Sequence, residues 1–194
     1  INLPRNILAD KGNFKINDKN QSFDNQNSTK AKSNYIKKAV KIISNSNKTV
    51  IIAGGGIKYT SRYKNVVKLA ELLNVPIVTA AGHGDAIPFN HKLNAGQMGP
   101  RGNPVASKLV KEASVIIALG TRLGFNSTFY SYENINKRAK IIQVELEKRM
   151  IGRYFTVAVG IYGDAATIAD QLYKEIKKQN IALDIKKWNN SYLN

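Results

Sequence analysis

Thr49-Val50-Ile51-Ile52-Ala53-Gly54-Gly55-Gly56 is the stretch on which the fold of this chain turns. Four β-branched residues and an alanine run together with no polar alternation. That is the pattern of a strand buried on both faces, as in a parallel sheet, and the glycines after it read as a tight turn. Upstream, Ile36, Ala39, Val40 and Ile43 recur at helical spacing behind Ser33, which is expected to cap the helix. Downstream, Tyr63, Val66, Val67, Ala70 and Leu73 share one helical face, and Pro76-Ile77-Val78-Thr79 reads as the next strand.

The alternation continues along the chain. A glycine-rich loop is expected from Gly82 to Gly102, followed by a helix capped by Asn103 with Pro104 in its first turn, where a missing N–H costs little. Ser114 to Leu119 is an apolar strand ending at Gly120, Lys140 to Val144 is another, and Thr156 to Val159 a fifth. Thr121 to Ala139 has no period and carries Phe125, Phe129, Tyr130 and Tyr132 between polar residues. Gly163-Asp164 opens a last helix, with Ala165, Ile168, Ala169, Leu172 and Ile176 in register. Strands alternating with amphipathic helices imply an α/β fold with right-handed crossovers and helices on both faces of the sheet. By analogy with nucleotide-binding α/β domains, the expectation is a doubly wound, mostly parallel, Rossmann-like sheet of six strands.

Composition narrows the function classes. The 194 residues allow one domain with loose ends: a polar linker up to residue 32, a domain over 33–178, and a polar tail over 179–194. The chain opens on Ile1 rather than Met, which reads as a start inside a longer polypeptide. With no cysteine, disulfides, thiolate metal sites and a cysteine nucleophile are excluded. No apolar run approaches the roughly 20 residues of a membrane span, and Ile1 to Asp10 lacks the pattern of a secretory leader. A cytoplasmic setting without membrane contact is expected. Lys and Arg outnumber Asp and Glu by 30 to 13, a net charge of +17, which admits a polyanion as partner. The lysines are scattered, however, and no nucleic-acid-binding motif accompanies them, so nucleic acid is not the expected partner.

In a parallel sheet, ligands bind beyond the carboxyl ends of the strands, so the residues just after each strand carry the interest. Gly54, Gly55 and Gly56 let backbone approach a phosphate or ribose, but they do not form G-x-G-x-x-G, and a plain tight turn explains them equally well. Arg122, after Gly120-Thr121, can make bidentate contacts with a phosphate or carboxylate. Glu145 ends the next strand, where an acid can accept hydrogen bonds from ribose hydroxyls. A surface ion pair between Arg122 and Glu145 is the alternative. With Gly163 and Asp164, these residues make up the candidate nucleotide-binding edge. The histidine–carboxylate cluster, Gly82-His83-Gly84-Asp85 with His91, offers too few ligands on rigid elements for a metal and reads as loop-positioning hydrogen bonds. A G-x-S-x-G nucleophile elbow is missing, and no catalytic or metal residue is assigned.

Taken in order, the segments resemble the central domain of thiamine-diphosphate-dependent enzymes, the acetolactate synthase-like superfamily. The resemblance starts at Ile1-Asn2-Leu3-Pro4-Arg5-Asn6, similar to that family's interdomain linker, and runs to about Ile176. It is carried by Ala53-Gly54-Gly55-Gly56, Leu69-Ala70-Glu71-Leu72-Leu73, Pro76-Ile77-Val78-Thr79, His91-Lys92-Leu93 with Gly96-Gln97-Met98-Gly99, Leu119-Gly120-Thr121-Arg122-Leu123, and Ile142-Gln143-Val144-Glu145-Leu146 before Ile151-Gly152. Within the family, Ala118 to Val144 is similar to the sulfoacetaldehyde acetyltransferase branch, and the R-F-D-D-R signature of acetolactate synthases is missing. Glu145, Lys92 and Asn6 depart from the family's Asp, Pro and Asp.

The resemblance implies a parent subunit of three domains that assembles into dimers or tetramers. Its flanking domains would bind thiamine diphosphate and Mg2+; Gly82-His83-Gly84-Asp85 is not their metal motif. The central domain would carry FAD or ADP in some relatives, neither of which is expected in this branch. The chain alone would then be inactive. The alternatives are the central domain of an acetolactate synthase-like or oxalyl-CoA decarboxylase-like enzyme, and a stand-alone nucleotide-binding module.

Overall fold

The computed structural model describes residues 11–12, 29–58, 62–185, 188 and 192. Its elements run α1 (Ser33–Ser44), β1 (Thr49–Ala53), α2 (Gly55–Lys58), α3 (Tyr63–Leu73), β2 (Ile77–Thr79), a 3-10 turn (Gly84–Ala86), β3 (Asn94–Gln97), α4 (Pro104–Glu112) and β4 (Val115–Leu119). They continue with α5 (Phe125–Thr128), β5 (Lys140–Glu145), a second 3-10 turn (Lys148–Met150), β6 (Val159–Tyr162) and α6 (Ala165–Lys178). The six strands form one sheet in the order β3-β2-β1-β4-β5-β6. Every pairing is parallel.

Strand alternation divides the core in two. Ile51, Ile117, Ile142 and Ile161 face the side covered by α1, α3 and α6, where Ile43, Leu69, Leu73, Leu172 and Ile176 pack against them. Val50, Ile52, Ile116 and Ala118 face the other side and meet Ala106, Leu109 and Val110 of α4. Each aliphatic side chain fully buried in this way is worth about 1.5–3 kcal/mol. Burial on both faces explains why β1 and β4 carry no polar residue at alternate positions.

The structure departs from the sequence reading at several elements. β3 lies inside the segment expected to be a loop, because Asn94-Ala95-Gly96-Gln97 is a half-exposed edge strand with little to bury. Its outer edge is already occupied: Gly96 N–H donates to Asn94 Oδ1 at 3.0 Å, and Asn103 N–H to Gln97 O at 2.7 Å. The last strand starts at Val159 and not at Thr156, in register with Ile142. It runs on through Gly160, where the Ile151 side chain fills the space a Cβ would take. The cap of α1 is Lys32, without a side-chain bond, and Ser33 is already helical.

Asn103 does cap α4, its side chain accepting from Val105 N–H with Pro104 behind it. Most of the 1–32 segment, including the linker motif Ile1 to Asn6, lies outside the described residues. Of the 179–194 segment, Ile185 and Trp188 are buried, and the Tyr192 hydroxyl donates to Glu112. This part of the expected tail therefore packs on the domain.

Candidate functional site

The strand order reverses between β1 and β4. From β1 the chain moves outward to β2 and β3, then returns to β4 on the other side, so the loops leaving β1 and β4 diverge and leave a crevice. Its volume is about 600 Å3. Gly55, Gly56, Gly120, Arg122 and Glu145 line it, together with His83, Ser127 and three aromatic side chains, Phe125, Tyr130 and Tyr154.

The floor is backbone on backbone. Gly54 N–H donates to Leu119 O at 2.9 Å, and Gly56 N–H to Gly120 O at 3.0 Å. A Cβ on Gly54 would stand 2.6 Å from Thr121 Cβ, and one on Gly56 2.8 Å from Gly120 Cα. Gly120 has φ +61 and meets Gly56 in return. These glycines are required by the close approach of the β1 and β4 loops. Gly54 serves that contact from below the crevice, while Gly55, Gly56 and Gly120 also form its wall.

Arg122 and Glu145 do not pair. Among the described residues the Arg122 guanidinium has no hydrogen bond or ion pair, and the side chain is exposed. Glu145 Oε1 accepts from Leu146 N–H at 2.9 Å, which turns the carboxylate back on its own strand end. Nearby, the Glu147 carboxyl is held below its ordinary range, first by the hydrogen bond from Arg149 and last by the field of Arg122. Among the described residues the crevice therefore keeps one cation, Arg122, without a hydrogen bond or ion pair, and one carboxylate, Glu145.

Gly163 and Asp164 stand elsewhere. Asp164 is buried at the start of α6, where Oδ1 accepts from Thr167 N at 2.7 Å, from Thr167 Oγ1 at 2.6 Å and from Arg62 Nη2 at 2.8 Å. Gly163 donates to Glu145 O at 3.1 Å and packs against Thr29 with φ +153. Neither lines the crevice.

The histidine–carboxylate cluster is dispersed as well. Asp85 pairs with Lys58 at 2.6 Å, and that bond is the main cause of its lowered pKa. His91 Nδ1 accepts from Leu93 N–H at 3.3 Å, which leaves Nε2–H to face Glu71 Oε1 at 3.3 Å. Only His83 reaches the crevice, its ring covering Gly55, with Nδ1 buried and unpaired among the described residues.

Sequence reasoning missed the aromatic wall. Phe125 packs edge-on to Phe129 at 4.9 Å and against Tyr130 at 5.6 Å, and Tyr130 stacks on Tyr154 at 4.3 Å. The turn that carries these rings is strained: Leu123, Phe129 and Tyr130 have φ of 51, 51 and 57. Left-handed backbone at a residue other than glycine costs roughly 1–2 kcal/mol each. Thr128 holds the turn, with Oγ1 donating to Leu123 O at 2.9 Å and accepting from Tyr130 N–H at 3.1 Å. Ser127 Oγ, the hydroxyl nearest to a nucleophile here, is engaged by Ala81 N–H at 3.0 Å. Among the described residues no base addresses a nucleophile.

The family model described as "Thiamine pyrophosphate enzyme, central domain" matches residues 36–172, from the first turn of α1 into α6, and so takes in the whole sheet and the crevice. The chain belongs to this family. A sulfoacetaldehyde acetyltransferase of Castellaniella defragrans is 34% identical over 151 residues, 77% of this chain and 25% of that protein. Another, of Alcaligenes xylosoxydans xylosoxydans, is 36% identical over the same length and shares. An acetolactate synthase large subunit of Buchnera aphidicola subsp. Schlechtendalia chinensis is 31% identical over 166 residues, 82% of this chain and 28% of that protein.

The chain thus spans about a quarter of the length of these relatives. Among the described residues no group of three or more His, Asp or Glu could hold a metal ion.

Proposed function

We propose that this chain is the central, non-catalytic domain of a thiamine-diphosphate- and Mg2+-dependent sulfoacetaldehyde acetyltransferase. The observation that carries this reading is the identity of 34–36% to two proteins of that name across 77% of the chain. In the proposed reaction sulfoacetaldehyde and phosphate give acetyl phosphate and sulfite. The carbon–sulfur bond breaks with its electron pair leaving on sulfite, the aldehyde carbon becomes the acyl carbon, and the methylene carbon becomes methyl, so no external oxidant is needed. Thiamine diphosphate supplies the reactive carbon from domains that flank this one.

The role of this chain is framing. Its sheet fixes the β1 and β4 loops, and the crevice above them offers Gly55, Gly56, Arg122 and Glu145 to a nucleotide. Neither FAD nor ADP is required for the reaction, and the crevice of this branch is read as a structural remnant of a nucleotide site. Gly163 and Asp164 support α6 instead. The parent is read as a cytoplasmic homo-oligomer, dimer or tetramer.

A second reading, an acetolactate synthase-like enzyme, is favoured by the 31% identity to the Buchnera protein. The test is an assay of the full-length polypeptide with sulfoacetaldehyde. Phosphate-dependent sulfite release supports the first reading. Condensation of pyruvate without sulfite release would establish the second.

A further inference from the structure

Four of the seven exposed aromatic side chains among the described residues lie together, while Tyr35, Phe89 and Tyr162 stand elsewhere. Phe125, Phe129, Tyr130 and Tyr132 fall within eight consecutive residues, each between 39% and 53% exposed, and Leu146 beside the crevice is 51% exposed. The rings are contiguous: Phe129 touches Phe125, Phe125 touches Tyr130, and Tyr130 stacks on Tyr154. Tyr132 joins them edge-on to Phe155, the residue after Tyr154, at 5.1 Å. Single exposed apolar residues need no explanation, but a joined patch marks a contact surface. The backbone supports this reading. Phe129 and Tyr130 are held in consecutive left-handed conformations by Thr128, so the turn keeps its rings outward against its own preference.

The size of the patch selects the occupant. An aromatic side chain can bury about 150–250 Å2, so five half-exposed side chains offer roughly 400–500 Å2. A stable interface between separate molecules needs about 800 Å2 on each side. Contacts between domains of one chain bury about 600–1,500 Å2 in total, and tethering supplies a high effective concentration. The rim carries both signs: Arg153 lies 5.5 Å over the Tyr154 ring, and Arg122 and Glu145 line the crevice beside Phe125, Tyr130 and Tyr154. A partner would therefore present an apolar centre within a polar rim.

We infer that the aromatic face built by α5 and the turn after it is the docking surface for a neighbouring domain of the same polypeptide, apolar at its centre and polar at its rim. The relatives, about four times as long as the region shared with this chain, have the length to supply such a neighbour. Phe125, Tyr130, Leu146 and Tyr154 belong both to the face and to the crevice wall, so docking would close the crevice mouth.

Hydroxyl-radical footprinting of the polypeptide as the cell makes it, read by mass spectrometry, tests this. Tyr35 and Tyr162 are matched references, 41% and 42% exposed against 48% and 39% for Tyr130 and Tyr132. Tyr130 and Tyr132 are expected to oxidise at least about fivefold more slowly than the references, as rings in the dry core of an interface do. Phe125→Ser with Phe129→Ser should restore their oxidation and leave Tyr35 and Tyr162 unchanged. Comparable rates at all four tyrosines of the unsubstituted polypeptide would overturn the inference. So would protection that disappears on dilution, which would make the occupant a second copy, and so would a native polypeptide no longer than this chain.

Discussion

Two arginines stand near acids at the carboxyl end of the sheet, and they have opposite fates. Arg62 reaches Asp164, which is buried and also accepts from Thr167. Arg122 and Glu145 stand across the crevice without pairing. The difference lies in what surrounds the carboxylate. Asp164 begins a fourteen-residue helix whose first amides need an acceptor, so its oxygens are committed locally and Arg62 completes the shell. Glu145 ends a strand beside open space and satisfies only its neighbour's amide. A strand-end acid is thus a ligand candidate only when no helix claims it, and by that rule Asp164 is architecture while Glu145 and Arg122 remain available.

Substitutions can break this comparison, beginning with the glycine on which the open site rests. Gly120→Ala puts a side chain at φ +61 and 2.7 Å from Gly56 Cα. It should destabilise the domain by at least about 3 kcal/mol, a fall of roughly 6–12 °C in Tm by thermal denaturation. An unchanged Tm would mean that the two loops are not in contact. Asp164→Ala removes the helix cap and strands Arg62. Because Arg62 is half-exposed, most of the loss is the cap, about 1–2 kcal/mol and a few degrees in Tm. A larger loss would show that the ion pair matters more than its exposure suggests.

Arg122→Ala should fall within about 0.5 kcal/mol of the parent stability, since the exposed side chain makes no hydrogen bond or ion pair among the described residues. It should also leave sulfite release by the full-length polypeptide unchanged, because no nucleotide is needed in the proposed reaction. A strong loss of activity at normal Tm would give the crevice a working role. The smallest effect concerns pH. The Asp85 carboxyl is lowered by its bond to Lys58. A folded-state pKa below the unfolded one contributes stability that is present above the unfolded pKa and is lost as pH falls through the folded one. Acid titration followed by circular dichroism should show a slightly smaller loss of stability below the ordinary carboxylate range in Lys58→Met than in the parent.

Much of the sheet was legible in the sequence, and the reason is visible in the centres of β1 and β4. Strands buried on both faces must be apolar throughout, so Val50-Ile51-Ile52 and Val115-Ile116-Ile117 announce themselves. β3 could not, because an edge strand of Asn94, Ala95, Gly96 and Gln97 buries little, and its pairing follows from neighbours distant in sequence. Parallel strands also put Gly54, Gly120 and Glu145 at one end of the sheet, as the spacing implied. What strand ends could not reveal was which polar groups were already engaged. The cap at Asp164 was readable, but its bond from Arg62 spans 102 residues. The aromatic wall was hidden for a similar reason. Phe125 to Tyr132 has no period, and its ring contacts with Tyr154 and Phe155 depend on tertiary packing.

The central claim is that this chain supplies a frame and an open crevice while the cofactor's binding groups lie elsewhere. Calorimetric titration of the 194-residue chain with thiamine diphosphate and Mg2+ tests it most directly. The account expects no measurable heat of binding; tight, Mg2+-dependent binding by this chain alone would contradict it.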